Sequence, residues 1–525
     1  MNSNHKPAVI VIGAGIGGIA TATHLAKQGL QVTVVEKNKR PGGRCDRFSK
    51  DGHRFDTGPT LFVMPLVYET EFAALGVPMH EMLDLQRVDP TYHLIFEDNS
   101  RLNLTSDMKR MQEQLDAMEP GGFKGFLRYM DEGYRHYHLA IEKLVNRDFR
   151  TASDFFSLDN LPLLYQLKPL AKHYDNMANY FDSPRLKAAF TFQDMYMGLS
   201  PFEAPATFSM MQYTEMAHGV WYPKGGMYQI VEALMEIARA ADVDFEFGSA
   251  VEQIIVDGSK TTGVLLKDGR KLKAEAVVAN ADLPYVYQKL LPPNGAAQKL
   301  KRKRYSCSTI SFFWGLDKPY PELPPHALFL ADDYRGNFDS IINDLALPQN
   351  PSLYIHAPVR LDSSMAPPGE DTIIAIVPVG HLNESGGQNW RQIRNEARQA
   401  VFDRLVRLGI QDLEEHLKFE VNYTPLSWRK RYNLVKGATH GLGHTLTQLG
   451  YMRPRNRHAD YHNLFFVGAS THPGTGAPTA LVSARLTAMR LLEELELGKS
   501  PVVDSGRQLG DIQPDSWRER AHAGF

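Results

Sequence analysis

The chain has 525 residues, with 58 Lys plus Arg against 60 Asp plus Glu and a formal net charge of -2. That balance gives no electrostatic reason to expect nucleic acid as a partner. The 43% of aliphatic and aromatic residues argues against disorder, and the length calls for two or three packed lobes. Two cysteines, Cys45 and Cys307, without a C-x-x-C pair, read as reduced thiols and not as a disulfide or a metal site.

The apolar run Ala8-Val9-Ile10-Val11-Ile12 is too short for a targeting peptide and reads as the first strand of the fold. It ends at Gly13-Ala14-Gly15-Ile16-Gly17-Gly18, a G-x-G-x-x-G turn into a helix that Gly29 closes. A second strand, Val32 to Val35, finishes at Glu36, with Lys37 beside it. Each part has a mechanical reason: Gly13 for the tight turn, Gly15 for backbone approach to a pyrophosphate, Gly18 for close helix–strand packing. The helix N-terminus offers free N–H groups to phosphate, and Glu36 is placed to accept hydrogen bonds from an adenosine ribose. Arg40-Pro41-Gly42-Gly43-Arg44 follows, two glycines between guanidinium groups able to face a phosphate. Phe55-Asp56-Thr57-Gly58-Pro59 supplies another tight polar turn.

Residues 76–218 read as a helix-rich insertion. Within it, Leu158 to Tyr180 mixes leucines with Lys168, Lys172, Tyr165 and Tyr174, a composition suited either to packing on the core or to dipping into a bilayer surface. Val251 to Ala281 reads as strands turning at Asp257-Gly258 and Asp268-Gly269 and ending near Asn280. Residues 301–425 form a sheet-building insertion. Near the C-terminus a buried strand, Asn463 to Val467, enters the turn Gly468-Ala469-Ser470-Thr471-His472-Pro473-Gly474-Thr475-Gly476, and a helix begins near Thr479. The tail 498–525 is polar and reads as loose. No stretch approaches the roughly 18 consecutive apolar residues of a spanning helix, so the chain is expected in the cytoplasm or on the cytoplasmic face of a membrane.

The fingerprint, the R-x-G-G-R of Arg40–Arg44 and the D-x-G-P of Asp56–Pro59 together resemble the flavin amine oxidase superfamily. Gly219-Val220-Trp221-Tyr222-Pro223-Lys224-Gly225-Gly226, Met197 to Phe202 and Gly468 to Pro478 narrow the resemblance to its bacterial-type phytoene desaturases, over residues 8 to about 495. The resemblance implies an α/β fold with a discontinuous Rossmann-type FAD-binding lobe (1–75, 219–300 and 426–497), a mixed-sheet substrate lobe and a helical lid. It implies FAD held by Gly13, Gly15, Gly18, Glu36, Lys37, Arg40, Gly42, Gly43, Arg44, Gly58, Pro59, Val251, Asn280, Gly468, Ala469, Gly474 and Gly476. The superfamily often carries an acid after Val467-Gly468, but Ser470 stands near that place, so no carboxylate contact is expected from this segment.

Desaturation removes a hydride and a proton from two saturated carbons, and a flavin can take the hydride. The implied function is desaturation of a C40 polyene precursor such as phytoene. A hydroxycarotenoid desaturase, a carotene isomerase, a ketolase, an amine oxidase or a non-catalytic prenyl-binding protein of the GDP-dissociation-inhibitor kind stand as alternatives. Gly441-Leu442-Gly443 lacks a third glycine, so no second dinucleotide site is expected and electrons would pass to oxygen or a quinone. Asp182 and Arg185, in a stretch similar to one near the flavin in the family, are the candidate proton-handling residues, with Asp182 as a helix N-cap the structural alternative. His218, His440, His444 and His472 read as structural.

Overall fold

The computed structural model describes residues 6–157 and 160–496, so the tail 498–525 and Leu158 lie outside the described residues. Five strands from three distant parts of the chain make one parallel sheet: Leu464–Phe466, Ala276–Ala279, Ala8–Ile12, Gln31–Glu36 and Asp244–Phe247, in that order. The discontinuous cofactor lobe is therefore real. Its central strand is buried on both faces, with Val9 at 1% and Val11 at 0% exposure, which is why it reads as an unbroken apolar run. Each such valine contributes about 1.5–3 kcal/mol of burial.

The helix Ile16–Lys27 packs against the last helix, Ala477–Glu494, through Ala22, Ala484 and Ala488. Small side chains let the two backbones approach, and both helices start at the same edge of the sheet. Arg485 of the last helix grips Glu71 through Nε and Nη2 at 3.0–3.1 Å and ties in the helix Pro65–Ala74. The strands Val251–Asp257, Lys260–Leu266 and Lys271–Lys273 form an antiparallel sheet, turning where the Asp-Gly pairs predict.

The second large sheet has seven strands in the order Leu417–Tyr423, Ser308–Leu316, Asp371–Val379, Leu353–His356, His326–Phe329, Tyr92–Ile95 and Arg101–Leu104. It is mixed, since Tyr92–Ile95 runs parallel to His326–Phe329 while the other pairs are antiparallel. Its last two strands fall within the helix-rich stretch 76–218. A short hairpin turning at Asn99 (φ +64°) extends the substrate sheet before the helices begin. The helices Met108–Met118, Gly122–Ala140 and Ser209–Ala217 then cover that end of the sheet.

Candidate active site

A cavity of about 740 Å³ runs between the two lobes. Its polar end lies where parallel strands finish, the usual crevice of an open α/β sheet. Gly13 follows the first strand, Glu36 ends the second, Asn280 follows Ala276–Ala279 and Gly468 follows Leu464–Phe466. Asn280 is the hub of this end. A Cβ on Gly15 or Gly18 would come 2.8 or 2.9 Å from its Nδ2, and one on Gly18 would stand 2.1 Å from the Gly13 carbonyl oxygen. The helices Ile16–Lys27 and Ala477–Glu494 have N-caps, Gly15 and Gly476, with no side-chain cap, and both N-caps line the cavity. Their first N–H groups and dipoles thus favour anionic groups there.

Glu36 is 6% exposed and held by the N–H groups of Ala14 (2.9 Å to Oε2) and Asn38 (2.8 Å to Oε1). Each oxygen keeps lone-pair capacity for a further donor. Lys37 also lines the cavity, its Nζ given to Asn433 Oδ1 (3.0 Å) and the Lys430 carbonyl (3.1 Å), and burial lowers its pKa. Arg44 lines it with one N–H donated to the Thr439 carbonyl (2.8 Å) and no carboxylate at ion-pair distance among the described residues. The donor set, the uncapped helix starts and the side-chain-free cradle fit a dinucleotide.

The other end is apolar. The helical layer supplies Phe192, Met195, Phe208 and Met211, and the seven-stranded sheet and its connections supply Leu328, Leu330, Phe338, Leu353 and Ile376. Three phenols interrupt it, Tyr334 (3.2 Å from Thr191 Oγ1), Tyr354 and Tyr196. Tyr354 reaches His326 Nδ1 (2.6 Å) and Thr60 Oγ1 (2.9 Å), and Tyr196 donates to Tyr92. Glu36 and Asp282 are the carboxylates lining the cavity among the described residues, both at the polar end.

Of the residues expected at the cofactor, Gly13, Gly15, Glu36, Lys37, Gly42, Gly43, Arg44, Gly58, Pro59, Val251, Asn280, Gly468, Ala469 and Gly476 line the cavity. Gly18 and Gly474 stand behind it. Gly18 lets the helix press on the Gly13 turn, and a Cβ on Gly474 would meet His444 Nε2 at 2.8 Å. Arg40 lies outside the lining, its Nε paired with Asp46 at 3.1 Å. Asp182 and Arg185 lie outside it as well. Asp182 is exposed, with its N–H on Glu119, and Arg185 pairs with Asp98 at 2.9 Å over the Phe96 ring, so neither reaches the cavity. The cap of the helix Pro184–Ala189 is Ser183, which accepts from the Leu186 N–H.

Sequence reasoning missed three groups. Asp282, two residues beyond Asn280, lines the cavity beside the Gly468 turn and accepts from Ser470 Oγ (2.8 Å) and the Val435 N–H (2.9 Å). Burial raises its pKa, opposed by those bonds and by Arg44. Arg453, 2% exposed, braces the Gly468 turn from behind. Glu215 is buried behind Tyr196. Of the histidines, His440 lines the cavity and burial drives it to about 4, while His444 Nε2 accepts from the Thr475 N–H at 3.1 Å beside the start of the last helix. Burial raises both thiol pKa values, Cys307 to about 12, so neither cysteine is a reactive thiolate.

Residues 16–492 match the family of flavin-containing amine oxidoreductases. The chain is 39% identical over 515 residues to a phytoene desaturase of Fusarium fujikuroi, covering 94% of this chain and 90% of that protein. It is 41% identical over 486 residues to a zeta-carotene-forming phytoene desaturase of Myxococcus xanthus, covering 92% and 93%. Among solved structures, putrescine oxidase with putrescine bound superposes with a TM-score of 0.61 at 15% identity over 94% of this chain and 99% of that one, a likeness of fold.

Proposed function

The chain belongs to the flavin-containing amine oxidoreductases and, within them, to the phytoene desaturases, and on that premise we propose that it uses FAD to introduce C=C bonds into a C40 carotenoid precursor. The observation that carries this reading is one continuous cavity with a dinucleotide cradle at one end and an apolar slot at the other. An ammonium substrate would find no carboxylate at the apolar end among the described residues, which favours a hydrocarbon over an amine.

When bound, oxidised flavin accepts a hydride from carbon. The protein's share is orientation and exclusion of water. Glu36 would hold the adenosine ribose, the two helix starts and Arg44 the pyrophosphate, and Asp282 with Ser470 a ribityl hydroxyl. The apolar walls align the polyene and keep its developing positive charge away from water. Incubating the purified protein with FAD and phytoene in liposomes tests the reading. New visible absorbance from a longer chromophore is expected; an unchanged phytoene spectrum with yellow, flavin-loaded protein overturns it. Glu36→Gln should weaken FAD binding about tenfold, the loss of one hydrogen bond to a charged group. Quenching of flavin fluorescence on titration measures it.

The substrate resides in lipid, so the protein should meet a membrane. Among the described residues no helix is long and apolar enough to cross one. Phe156, Tyr165 and Leu170 are instead 58%, 86% and 81% exposed within the stretch 156–170, followed by exposed Lys172. Such a segment fits the headgroup boundary, apolar groups inward and the ammonium in the headgroups. Replacing Tyr165 and Leu170 together by serine should reduce co-sedimentation with liposomes about tenfold or more while leaving flavin content unchanged. Oxygen or a quinone is the proposed electron acceptor, distinguished by the rate of reoxidation of the holoenzyme with each.

A further inference from the structure

A buried carboxyl stands behind the apolar slot without a cation. Glu215, on the helix Ser209–Ala217, is 1% exposed, and no Lys or Arg lies at ion-pair distance among the described residues. Its Oε2 accepts from Gln193 Nε2 (3.1 Å), and its Oε1 accepts from the Tyr92 hydroxyl (3.1 Å). Tyr92, fully buried on the strand Tyr92–Ile95, has one proton and gives it to Glu215, so it can only accept from Tyr196. Tyr196, on the short helix Phe192–Met197, lines the cavity between Met195 and Met197. Every O–H in the series points away from the slot and towards the carboxylate. An acid held this deep without an ion-pair partner is costly, and both groups that reach it are donors, so the pocket is built for an acceptor.

We propose that Tyr196, Tyr92 and Glu215 form the route by which the substrate's proton leaves. This rests on the desaturase reading and adds the acceptor it lacks. One C–H bond is lost as hydride to the oxidised flavin. The neighbouring C–H bond breaks, its electron pair becomes the new π bond, and its proton goes to the Tyr196 oxygen. The Tyr196 proton moves to Tyr92, and that of Tyr92 moves to the Glu215 carboxylate, which ends as the neutral acid. Between turnovers the series runs back to water in the emptied slot.

Burial pushes Glu215 up to about 8, against the lowering effect of Gln193 and Tyr92, and holds both phenols well above their ordinary range. The titratable groups facing it are the phenols of Tyr92, Tyr196 and Tyr129. Only ionised Glu215 can take the proton, so the rate rises with pH through about 8. The phenols stay neutral and pass protons without storing them.

The test is anaerobic single-turnover reduction of the FAD holoenzyme by phytoene in liposomes, across the pH range around 8, with infrared spectra of the substrate-free holoenzyme. Wild type should show a carboxylic-acid C=O band that disappears with a midpoint near 8 and a rate that rises at the same midpoint. Glu215→Gln should lose both the band and the pH limb and slow flavin reduction roughly 10²–10⁴-fold, the usual worth of a positioned proton acceptor. Tyr92→Phe should keep the band and slow reduction comparably, with substrate affinity unchanged. Should Glu215→Gln not hold flavin, Tyr92→Phe and Tyr196→Phe, each lacking one oxygen, decide alone. Wild-type rates and an unaltered pH profile in these variants would overturn the relay and leave the desaturase intact. A wild-type holoenzyme that phytoene cannot reduce would overturn both.

Discussion

Replacing Arg453 by leucine is expected to yield colourless protein that unfolds at markedly lower urea. The guanidinium is buried and donates from Nε to the Thr471 carbonyl (2.8 Å) and from Nη1 to those of Gly443 (3.1 Å) and Gln448 (3.0 Å). From Nη2 it donates to Leu442 and Ala469. It therefore clamps the 442–448 loop to the turn whose Gly468 and Ala469 line the cavity. Burial lowers its pKa to about 9, so it stays cationic at neutral pH, balanced by carbonyl dipoles instead of a carboxylate. Leucine fills the space but strands those carbonyls, each at about 1–3 kcal/mol, so a loss on the order of 4 kcal/mol follows even if some find water. Lysine keeps the charge but not the planar fork and should fall between. The ratio of flavin to protein absorbance and urea midpoints measured with and without excess FAD separate loss of fold from loss of cofactor, since ligand stabilises only the folded state.

The cofactor half of this molecule was legible because its demands are local. A tight turn, a close backbone approach and an uncapped helix start each require a particular residue at a particular spacing, and Gly13 to Glu36 displays them in order. The substrate half depends on distant pairing. Tyr92–Ile95 is a four-residue strand whose parallel neighbour, His326–Phe329, lies more than two hundred residues away, and only the polar turn Asp98-Asn99-Ser100 between apolar runs hints at it. Single charged residues mislead in both directions. Arg40 follows the fingerprint closely enough to suggest a phosphate, yet Asp46 captures it. Asp182-Ser183-Pro184-Arg185 carries a genuine helix start and no cavity group. Arg453 and Glu215 look like ordinary surface charges in sequence, and their weight comes entirely from burial, which one chain read alone does not display.

Gly18→Ala is expected to abolish flavin binding, although it adds one methyl group. The new Cβ would sit 2.1 Å from the Gly13 carbonyl oxygen and 2.9 Å from Asn280 Nδ2. The first of these is backbone that makes the phosphate turn, so relief requires the helix Ile16–Lys27 to move off the sheet. That helix is packed by Ala22 against the last helix, so its displacement would disturb both uncapped N-termini at once. Overpacking of this kind costs about 1–3 kcal/mol or more in stability, but cofactor affinity should fall further because the cradle itself is displaced. Gly295→Ala provides the control: nothing lies within 4 Å of its Cβ position, and it opens the helix Gly295–Lys301. There the same chemical change should leave flavin content untouched and stabilise the fold by about 0.4–1 kcal/mol through the unfolded chain. A Gly18→Ala protein that purified yellow, with wild-type FAD affinity by fluorescence titration, would mean that the helix start does not hold the pyrophosphate.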